Sequence, residues 1–331
     1  MLNSKPLKKL RKQFLGLPQL VASLQTTIVV CKRRGVRSLF FKCSMKKQSL
    51  FIFLFAIFLL AGCSKKNVAG GKTGTGELEA PQRIVALSPA SVEILFAIGA
   101  GNQVAAVSDL TDYPPEAVSL PKVGGFDGKT LSMEKIISYK PDLVYLAEGM
   151  HNFLIQELEA NKIAYYVSKG SSIASVEGEI IDLGKITGHE KEAKILVTEM
   201  KQKLSSFRNS DDGEKVTVYY EVWNAPYMSV GSTSFINDVI TCAGAKNIFA
   251  DLKEAYPIVS EETIIARNPD LIILTASSAL TVQSVANRPA WANLKAVKNS
   301  KVFLIDDNLY SRPGPRIVDA VLDLENHIKK N

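Results

Sequence analysis

One segment of the chain occurs twice. Ser132–Leu146 (SMEKIISYKPDLVYL) aligns without a gap with Ser260–Leu274 (SEETIIARNPDLIIL), at an offset of 128 residues. The two copies share a serine, a glutamate, an Ile-Ile pair, Pro-Asp-Leu and a final leucine at equal spacing. Such a repeat predicts two lobes of similar construction, each with a helix that begins near a glutamate and runs through Pro-Asp into a buried strand.

Short β-branched runs alternate with helical patterns in both halves of the chain. The predicted strands are Arg83–Leu87, Val104–Val107, Asp142–Leu146, Ala164–Val167, Lys215–Val222, Leu271–Leu274 and Lys301–Ile305. Alternation of this kind is typical of parallel sheets that are covered by helices on both faces. We therefore expect an α/β fold in two lobes.

The stretch Glu190–Phe207 has the spacing of one amphipathic helix. Its apolar residues fall on a single stripe, formed by Ala193, Leu196, Val197, Met200, Leu204 and Phe207. At 1.5 Å per residue this helix would be about 27 Å long and would join the lobes as a stiff strut. We place the N-terminal lobe at residues 82–186, the connecting helix at 187–209 and the C-terminal lobe at 210–331.

The charge of the chain is unevenly distributed. The formal net charge is +7, which by itself would suggest a nucleic-acid or membrane-surface partner. Residues 1–62, however, hold twelve Lys and Arg and no Asp or Glu, and the remaining residues hold 28 basic and 33 acidic side chains. The body of the protein is therefore acidic, and we expect no nucleic-acid partner.

Residues 45–62 have the features of an export signal. Two lysines precede an unbroken apolar run, Leu50–Ala61, which is too short to cross a bilayer that needs about 20 apolar residues. The sequence Leu-Ala-Gly-Cys that ends at Cys63 resembles the lipobox of bacterial lipoproteins, where cleavage leaves a lipidated cysteine. The alternative is a short buried helix that ends in cysteine. We predict a signal peptide at 45–62 and lipidation of Cys63.

Residues 1–44 fit no part of such a signal, because a secretory signal is short and starts at a methionine. We expect them to be an over-extended start, with translation beginning at Met45. Residues 63–81 are rich in glycine and poor in large apolar side chains, which predicts a flexible tether after the lipidated cysteine. The protein is thus expected to be exported and held at the cell envelope by its lipid.

Motifs that carry common catalytic and metal chemistry do not occur in the sequence. There is no G-x-S-x-G, H-E-x-x-H or G-x-x-x-x-G-K-[ST] motif and no Cys-x-x-Cys pair. The three histidines, His151, His189 and His327, have surroundings that do not suggest a metal cluster. We predict a binding protein rather than an enzyme, with no catalytic residue, no metal site and no cofactor of its own.

Two facing lobes form a cleft, and ligands of open α/β sheets bind beyond the carboxyl ends of the strands. Residues that follow predicted strands here would suit a large flat ligand with a polar rim, because aromatic rings stack on its faces and an arginine binds a carboxylate, carbonyl or phosphate. The candidate ligand-binding residues are Ser88, Pro89, Phe126, Trp223, Tyr256 and Arg312. The alternative role for each aromatic residue is packing in the core. Arg316, close to Arg312 in the sequence, is expected merely to cap the last helix or to form an ion pair within it.

Six stretches carry a family resemblance. They are RIVALSPASVEILFAIGAG (83–101), DYPP (112–115), VGGF (123–126), KPDLV (140–144), GAKNIF (244–249) and SRPGPR (311–316). In this order they resemble the substrate-binding lipoproteins of ABC importers for cobalamin, iron siderophores and haem. The resemblance covers about residues 82–328. It implies a class III periplasmic binding protein with two Rossmann-like lobes, a single long connecting helix, a ligand cleft between the lobes and modest lobe closure.

The same resemblance gives the repeated segment a role. In this family a glutamate on each lobe docks onto arginines of the membrane permease, and the matching positions are Glu134 and Glu262. The alternative is a carboxylate that merely stabilises the dipole of its helix. The resemblance also implies that the partners are an ABC permease and its ATPase, and that the binding protein is a monomer.

The DYPP, VGGF and SRPGPR stretches are closest to cobalamin-binding members, and Phe126 and Tyr256 stand where those members carry ligand-contacting tryptophans. The implied ligand is therefore cobalamin or a related corrinoid. Ala147 and Leu110 depart from the pattern, since a tryptophan and a tyrosine are expected there. An iron siderophore or haem is the alternative, with tyrosines and His151 as candidate haem ligands. A lipid-anchored enzyme and an adhesion lipoprotein remain open as other classes.

Overall fold

The computed structural model describes residues 79–207, 215–278 and 280–329. The strands are β1 (Ile84–Ala86), β2 (Val104–Val107), β3 (Leu143–Ala147), β4 (Ala164–Ser168), β5 (Thr217–Glu221), β6 (Trp223–Asn224), β7 (Tyr227–Met228), β8 (Lys246–Asn247), β9 (Leu271–Thr275) and β10 (Val302–Ile305). The predictions for residues 1–62 and for Cys63 lie outside the described residues.

The helices alternate with these strands. They are α1 (Pro89–Ala97), α2 (Pro115–Val118), α3 (Met133–Ser138), α4 (Ile155–Ala160), α5 (Ile173–Thr187), α6 (Glu190–Phe207), α7 (Phe235–Cys242), α8 (Glu261–Arg267), α9 (Val282–Ala286), α10 (Lys295–Lys298), α11 (Asp307–Ser311) and α12 (Ile317–Lys329). In the described part of the chain, no helix is long and apolar enough to cross a membrane.

Each lobe contains a four-stranded sheet in which all strands are parallel. The strand order is β2-β1-β3-β4 in the N-terminal lobe and β8-β5-β9-β10 in the C-terminal lobe. The two sheets therefore place their successive strands in the same order, and the second repeats the topology of the first. This confirms the predicted α/β fold with parallel sheets. The antiparallel hairpin β6–β7 and the short strand β8 were not expected from the sequence.

The repeated segment builds the same helix start in both lobes. The Ser132 hydroxyl accepts a hydrogen bond from the Lys135 N–H at 3.3 Å, at the beginning of α3. The Ser260 hydroxyl accepts one from the Thr263 N–H at 3.2 Å, at the beginning of α8. Both serines therefore satisfy a backbone donor that the first turn of a helix leaves unpaired.

The Pro-Asp pair of each copy ties the helix to the sheet. The Asp142 carboxylate accepts hydrogen bonds from the Gln82 and Arg83 N–H groups at 2.7 and 3.0 Å, just before β1. The Asp270 carboxylate accepts one from the Thr217 N–H at 2.9 Å, at the first residue of β5. The conserved spacing within the repeat thus fixes where the central strands begin.

The helix α6 has the bounds that its amphipathic spacing predicts. Ala193, Val197, Met200 and Leu204 are buried, and Leu196 and Phe207 are partly buried against the same core. The helix packs on α5 and on α12.

One apolar core runs through both lobes. It includes Val92 and Tyr145 of the N-terminal lobe, Met200 of α6, and Tyr220 and Val318 of the C-terminal lobe. Two smaller clusters fill the other faces of the two sheets. Because the lobes share this core, wide separation of the lobes would expose apolar surface to water. The free-energy cost of that exposure is about 25 cal/mol for each Å².

Candidate ligand cleft and docking face

The residue Ser88 lies two positions after the end of β1, where it occupies the N-cap position of α1 with extended backbone. Its side chain makes no capping hydrogen bond, so the hydroxyl does not close the helix as N-cap serines usually do. Pro89 follows as the first helical residue, which needs no N–H donor there. Both residues are partly buried at the carboxyl edge of the first sheet.

Four charged side chains form a network between the lobes, which we call the interlobe ion pairs: Glu93, Asp112, Arg312 and Arg316. The Glu93 carboxylate accepts from Arg312 Nη1 at 3.2 Å and from Arg316 Nε and Nη2 at 3.0 and 2.6 Å. Arg312 also donates to Asp112 Oδ1 at 2.5 Å and to Asn308 Oδ1 at 2.9 Å. The hydrogen bond from Arg312 lowers the pKa of Asp112 below its ordinary value.

The structure therefore places Arg312 in a different setting from the one the sequence suggested. Its side chain is 9% exposed, and its guanidinium already binds three protein groups, so a role in binding ligand stays a prediction. The ion pair of Arg316 within the last helix was wrong, because its side chain pairs with Glu93 of the other lobe, but its carbonyl oxygen does cap α12 by accepting from the Asp319 and Ala320 N–H groups at 2.9 and 3.1 Å. Its guanidinium also lies 4.2 Å from the centre of the Tyr113 ring.

On the N-terminal lobe, Phe126 projects from a glycine-rich loop and is 51% exposed. Gly124 has a φ of +124°, and a Cβ there would lie 2.0 Å from the Thr130 carbonyl oxygen, so only glycine fits this turn. Phe153, an exposed aromatic residue a few positions after β3, was not among the ligand-binding candidates from the sequence. The available signal was its position after a predicted strand, where Met150 is also exposed.

On the C-terminal lobe, the structure brings Trp223 and Tyr256 onto one small ribbon. Trp223 pairs with Met228 across the hairpin β6–β7, and Met228 forms an antiparallel bridge to Ile258. The exposed fractions are 40% for Trp223 and 46% for Tyr256. Both aromatic side chains are thus partly exposed to solvent, and Ile258, two residues after Tyr256, is exposed as well.

The residue His151 lies in the interior of the N-terminal lobe with an exposed fraction of 1%. Its Nδ1 accepts a hydrogen bond from the Ala147 N–H at 3.0 Å, and burial lowers its pKa to about 4. The ring is therefore neutral at pH 7, and its Nε2 is enclosed by protein. His151 does not present a nitrogen to a haem iron, contrary to the expectation from sequence. No group of three metal-binding side chains occurs among the described residues.

Both predicted docking glutamates occupy the second position of their helices. Glu134 follows the Ser132 cap in α3, and Glu262 follows the Ser260 cap in α8; both side chains are exposed. Backbone N–H donation and the Ser260 hydroxyl lower the pKa of Glu262, which keeps its carboxylate ionised. The repeat therefore presents one exposed carboxylate in the same setting on each lobe.

The similarity of this chain to known proteins covers both lobes. A family described as periplasmic binding protein matches residues 84–309. An uncharacterized ABC transporter substrate-binding lipoprotein of Bacillus subtilis is 32% identical, over 75% of this chain and 80% of that protein. A possible iron-binding protein of Staphylococcus epidermidis has 32% identity and a TM-score of 0.68, over 76% of this chain and 100% of that structure. The vitamin B12 binding protein of Vibrio cholerae has 27% identity and a TM-score of 0.65, over 76% and 98%.

Proposed function

The chain belongs to the periplasmic binding protein family and is the substrate-binding protein of an ABC importer. We propose that the ligand it binds for import is cobalamin or a related corrinoid. The observation that carries the proposal is the partial exposure of three large aromatic side chains, Phe126 on the N-terminal lobe and Trp223 and Tyr256 on the C-terminal lobe. The similarity to the vitamin B12 binding protein of Vibrio cholerae supports the same ligand class.

A corrin ring is large and flat, and its edge carries amide groups. Phe126 on one lobe and the pair Trp223 and Tyr256 on the other would cover its apolar area from two sides. Each aromatic contact of this kind contributes about 0.5–1.5 kcal/mol beyond the area that it buries. The Ser88 hydroxyl, which makes no capping hydrogen bond to α1, would form a hydrogen bond with the polar edge of the ligand.

An iron chelate is the second candidate ligand. The supporting observation is the 32% identity to a Staphylococcus epidermidis protein described as possibly iron-binding. Burial of His151 argues against haem held by that imidazole, because neither ring nitrogen is available to the cleft.

The proposal includes delivery at the membrane. Glu134 and Glu262 would dock onto basic residues of the permease, which works with its ATPase. A lipid on Cys63 would hold the protein at the outer face of the membrane through the tether 63–81. Mass spectrometry of the natural protein checks this part: the mature chain should begin at a lipidated Cys63, and a peptide from residues 1–42 would contradict it.

The ligand assignment is tested by titrating the purified protein with cyanocobalamin, haemin and a ferric hydroxamate siderophore in a calorimeter. We expect saturable binding of cyanocobalamin, and Phe126→Ala and Trp223→Ala should each weaken it by about tenfold or more, since central aromatic contacts carry over 1 kcal/mol. Quenching of tryptophan emission should be weaker in Trp223→Phe, because the exposed Trp223 is then absent and only the buried Trp291 remains.

The matched control is Leu322→Ala, which removes an exposed apolar side chain from the outer face of α12. Its affinity should stay within about twofold of the wild type. Binding of a ferric siderophore with no response to cyanocobalamin would replace the corrinoid by an iron chelate. No heat with any of the three ligands would exclude this class of substrate.

A further inference from the structure

We propose that Glu261 is a positioning residue that couples the ligand cleft to the docking glutamate Glu262. Ligand that covers Trp223 orders the hairpin β6–β7, and the ordered hairpin holds Glu261 and the first turn of α8 in place. The inference rests on the proposed function, because it takes Trp223 as a ligand contact and Glu262 as a permease contact.

The backbone connects the cleft to the docking helix over a short distance. The segment that begins at Tyr256 leads directly into the Ser260 cap of α8. Along the way the Val259 N–H donates to the Tyr227 carbonyl at 2.9 Å, and the Ser229 N–H donates to the Pro257 carbonyl at 3.0 Å. The segment 257–259, which leads into α8, is therefore paired with the hairpin, and a shift of the hairpin would move the start of α8 with it.

Side chains make the same connection more specifically. Glu261 Oε1 accepts a hydrogen bond from Trp291 Nε1 at 2.8 Å and a longer one from the Tyr227 hydroxyl at 3.4 Å. The Tyr227 ring, on strand β7, lies 5.8 Å from the Trp291 ring between centroids. One carboxylate oxygen thus joins the hairpin, the lobe core and the first residue of α8.

A buried ion pair supports this cluster from the sheet side. Arg288 donates to both carboxylate oxygens of Glu221 at 2.7 and 2.8 Å, and the Glu221 side chain is completely buried. The Arg288 guanidinium also lies 4.3 Å from the Trp291 ring centre and 5.2 Å from that of Tyr227. Glu221 ends β5 two positions before the hairpin begins at Trp223, so the pair fixes the base of the hairpin.

The N-terminal lobe lacks this connection. The position that matches Glu261 in the repeat is Met133, a partly buried side chain that packs against the apolar cluster of its lobe. At its first turn, α3 is held against its lobe by the apolar contact of Met133, whereas α8 is tied to the hairpin by the hydrogen bonds of Glu261. This difference predicts that ligand changes the mobility of α8 and leaves that of α3 unchanged.

The stability of the hairpin makes it sensitive to ligand. Each of its strands has two residues, and a ribbon of this size depends for its stability on the contacts that it makes with its neighbours. An aromatic contact at Trp223 would order such a ribbon, and regions of low local stability are where ligand binding changes mobility most.

The connection between the hairpin and α8 is tested first in the protein without ligand, by hydrogen–deuterium exchange of peptides that cover α8 and α3. Tyr227→Ala removes the ring that packs on Trp291 and the hydroxyl that reaches Glu261. We expect exchange in α8 to become at least about fivefold faster, with α3 within about twofold of the wild type. The matched control is Leu322→Ala, an exposed apolar residue of α12 outside the proposed binding site, which should change neither helix.

The second arm adds saturating cyanocobalamin. In the wild type it should slow exchange in α8 by about fivefold and spare α3. Glu261→Ala should lose this ligand-induced protection while calorimetric affinity stays within about twofold. Glu261→Gln should keep the protection, since its amide oxygen still accepts from Trp291.

Unchanged α8 exchange in Tyr227→Ala, or equal protection of α3 and α8 by bound cyanocobalamin, would overturn the coupling. Protection of α8 that persists in Glu261→Ala would overturn the role of that residue. If cyanocobalamin does not bind in the calorimeter, the corrinoid assignment fails, and the ligand-free arm alone decides the coupling.

Discussion

Replacing Glu134 and Glu262 together by alanine should abolish uptake of cyanocobalamin by intact cells while leaving its binding to the purified protein within about twofold. Each carboxylate that meets a permease arginine would form a charge-assisted hydrogen bond worth about 1.5–3 kcal/mol, so loss of both should weaken docking on the order of a hundredfold or more. Uptake of labelled ligand in cells that carry only the variant, together with calorimetry, measures the two quantities.

The chain offers a control with the same change of charge. Glu116 and Glu157 are also exposed carboxylates in the first turns of short helices, α2 and α4. The double variant Glu116→Ala with Glu157→Ala should transport normally, because a helix-dipole role costs only about 0.3–1 kcal/mol per site. Equal loss of uptake in both double variants would show that the total charge matters and that Glu134 and Glu262 have no special role.

Substitution of Glu93 by alanine should lower the free energy of unfolding by about 3–5 kcal/mol. Glu93 binds Arg312 and Arg316 at once, and its side chain is almost completely buried between the lobes. Without it, two guanidinium groups that are largely buried lose a carboxylate, although Arg312 keeps Asp112. The midpoint of urea unfolding should fall while the slope of the transition remains unchanged.

Two comparisons make this result interpretable. Glu93→Gln keeps an oxygen acceptor and should be less destabilising than Glu93→Ala. Glu190→Ala removes an exposed ion pair with Lys194 on α6 and should leave the midpoint of urea unfolding nearly unchanged. A loss below about 1 kcal/mol in Glu93→Ala would mean that the interlobe ion pairs do not hold the lobes together.

The sequence was most informative where burial repeats at a fixed period. Apart from β8, the strands of both sheets follow from short apolar runs between helical patterns, and the bounds of α6 follow from a single helical stripe, because core packing needs those patterns. The repeat predicted two lobes of similar construction. In each copy the serine caps the helix and the aspartate of Pro-Asp accepts a hydrogen bond from the backbone at the start of a strand.

Contacts between residues far apart in the chain could not be predicted in this way. Arg312 and Arg316 meet Glu93 more than two hundred positions away, and no local period records such a pairing. His151 was expected near the cleft because it follows a strand, but a strand end fixes the position of a backbone and not the direction of a side chain. The hairpin β6–β7 is too short for an alternating pattern to be recognised.

The apolar core that both lobes share has a consequence for building an optical sensor from this protein. Two dyes placed on separate lobes report a change of distance, and lobes joined through one core would change their distance little on binding. A single dye that responds to local polarity is the better design. The exposed Ile258, beside the hairpin and outside that core, is the position at which such a dye would respond to ligand.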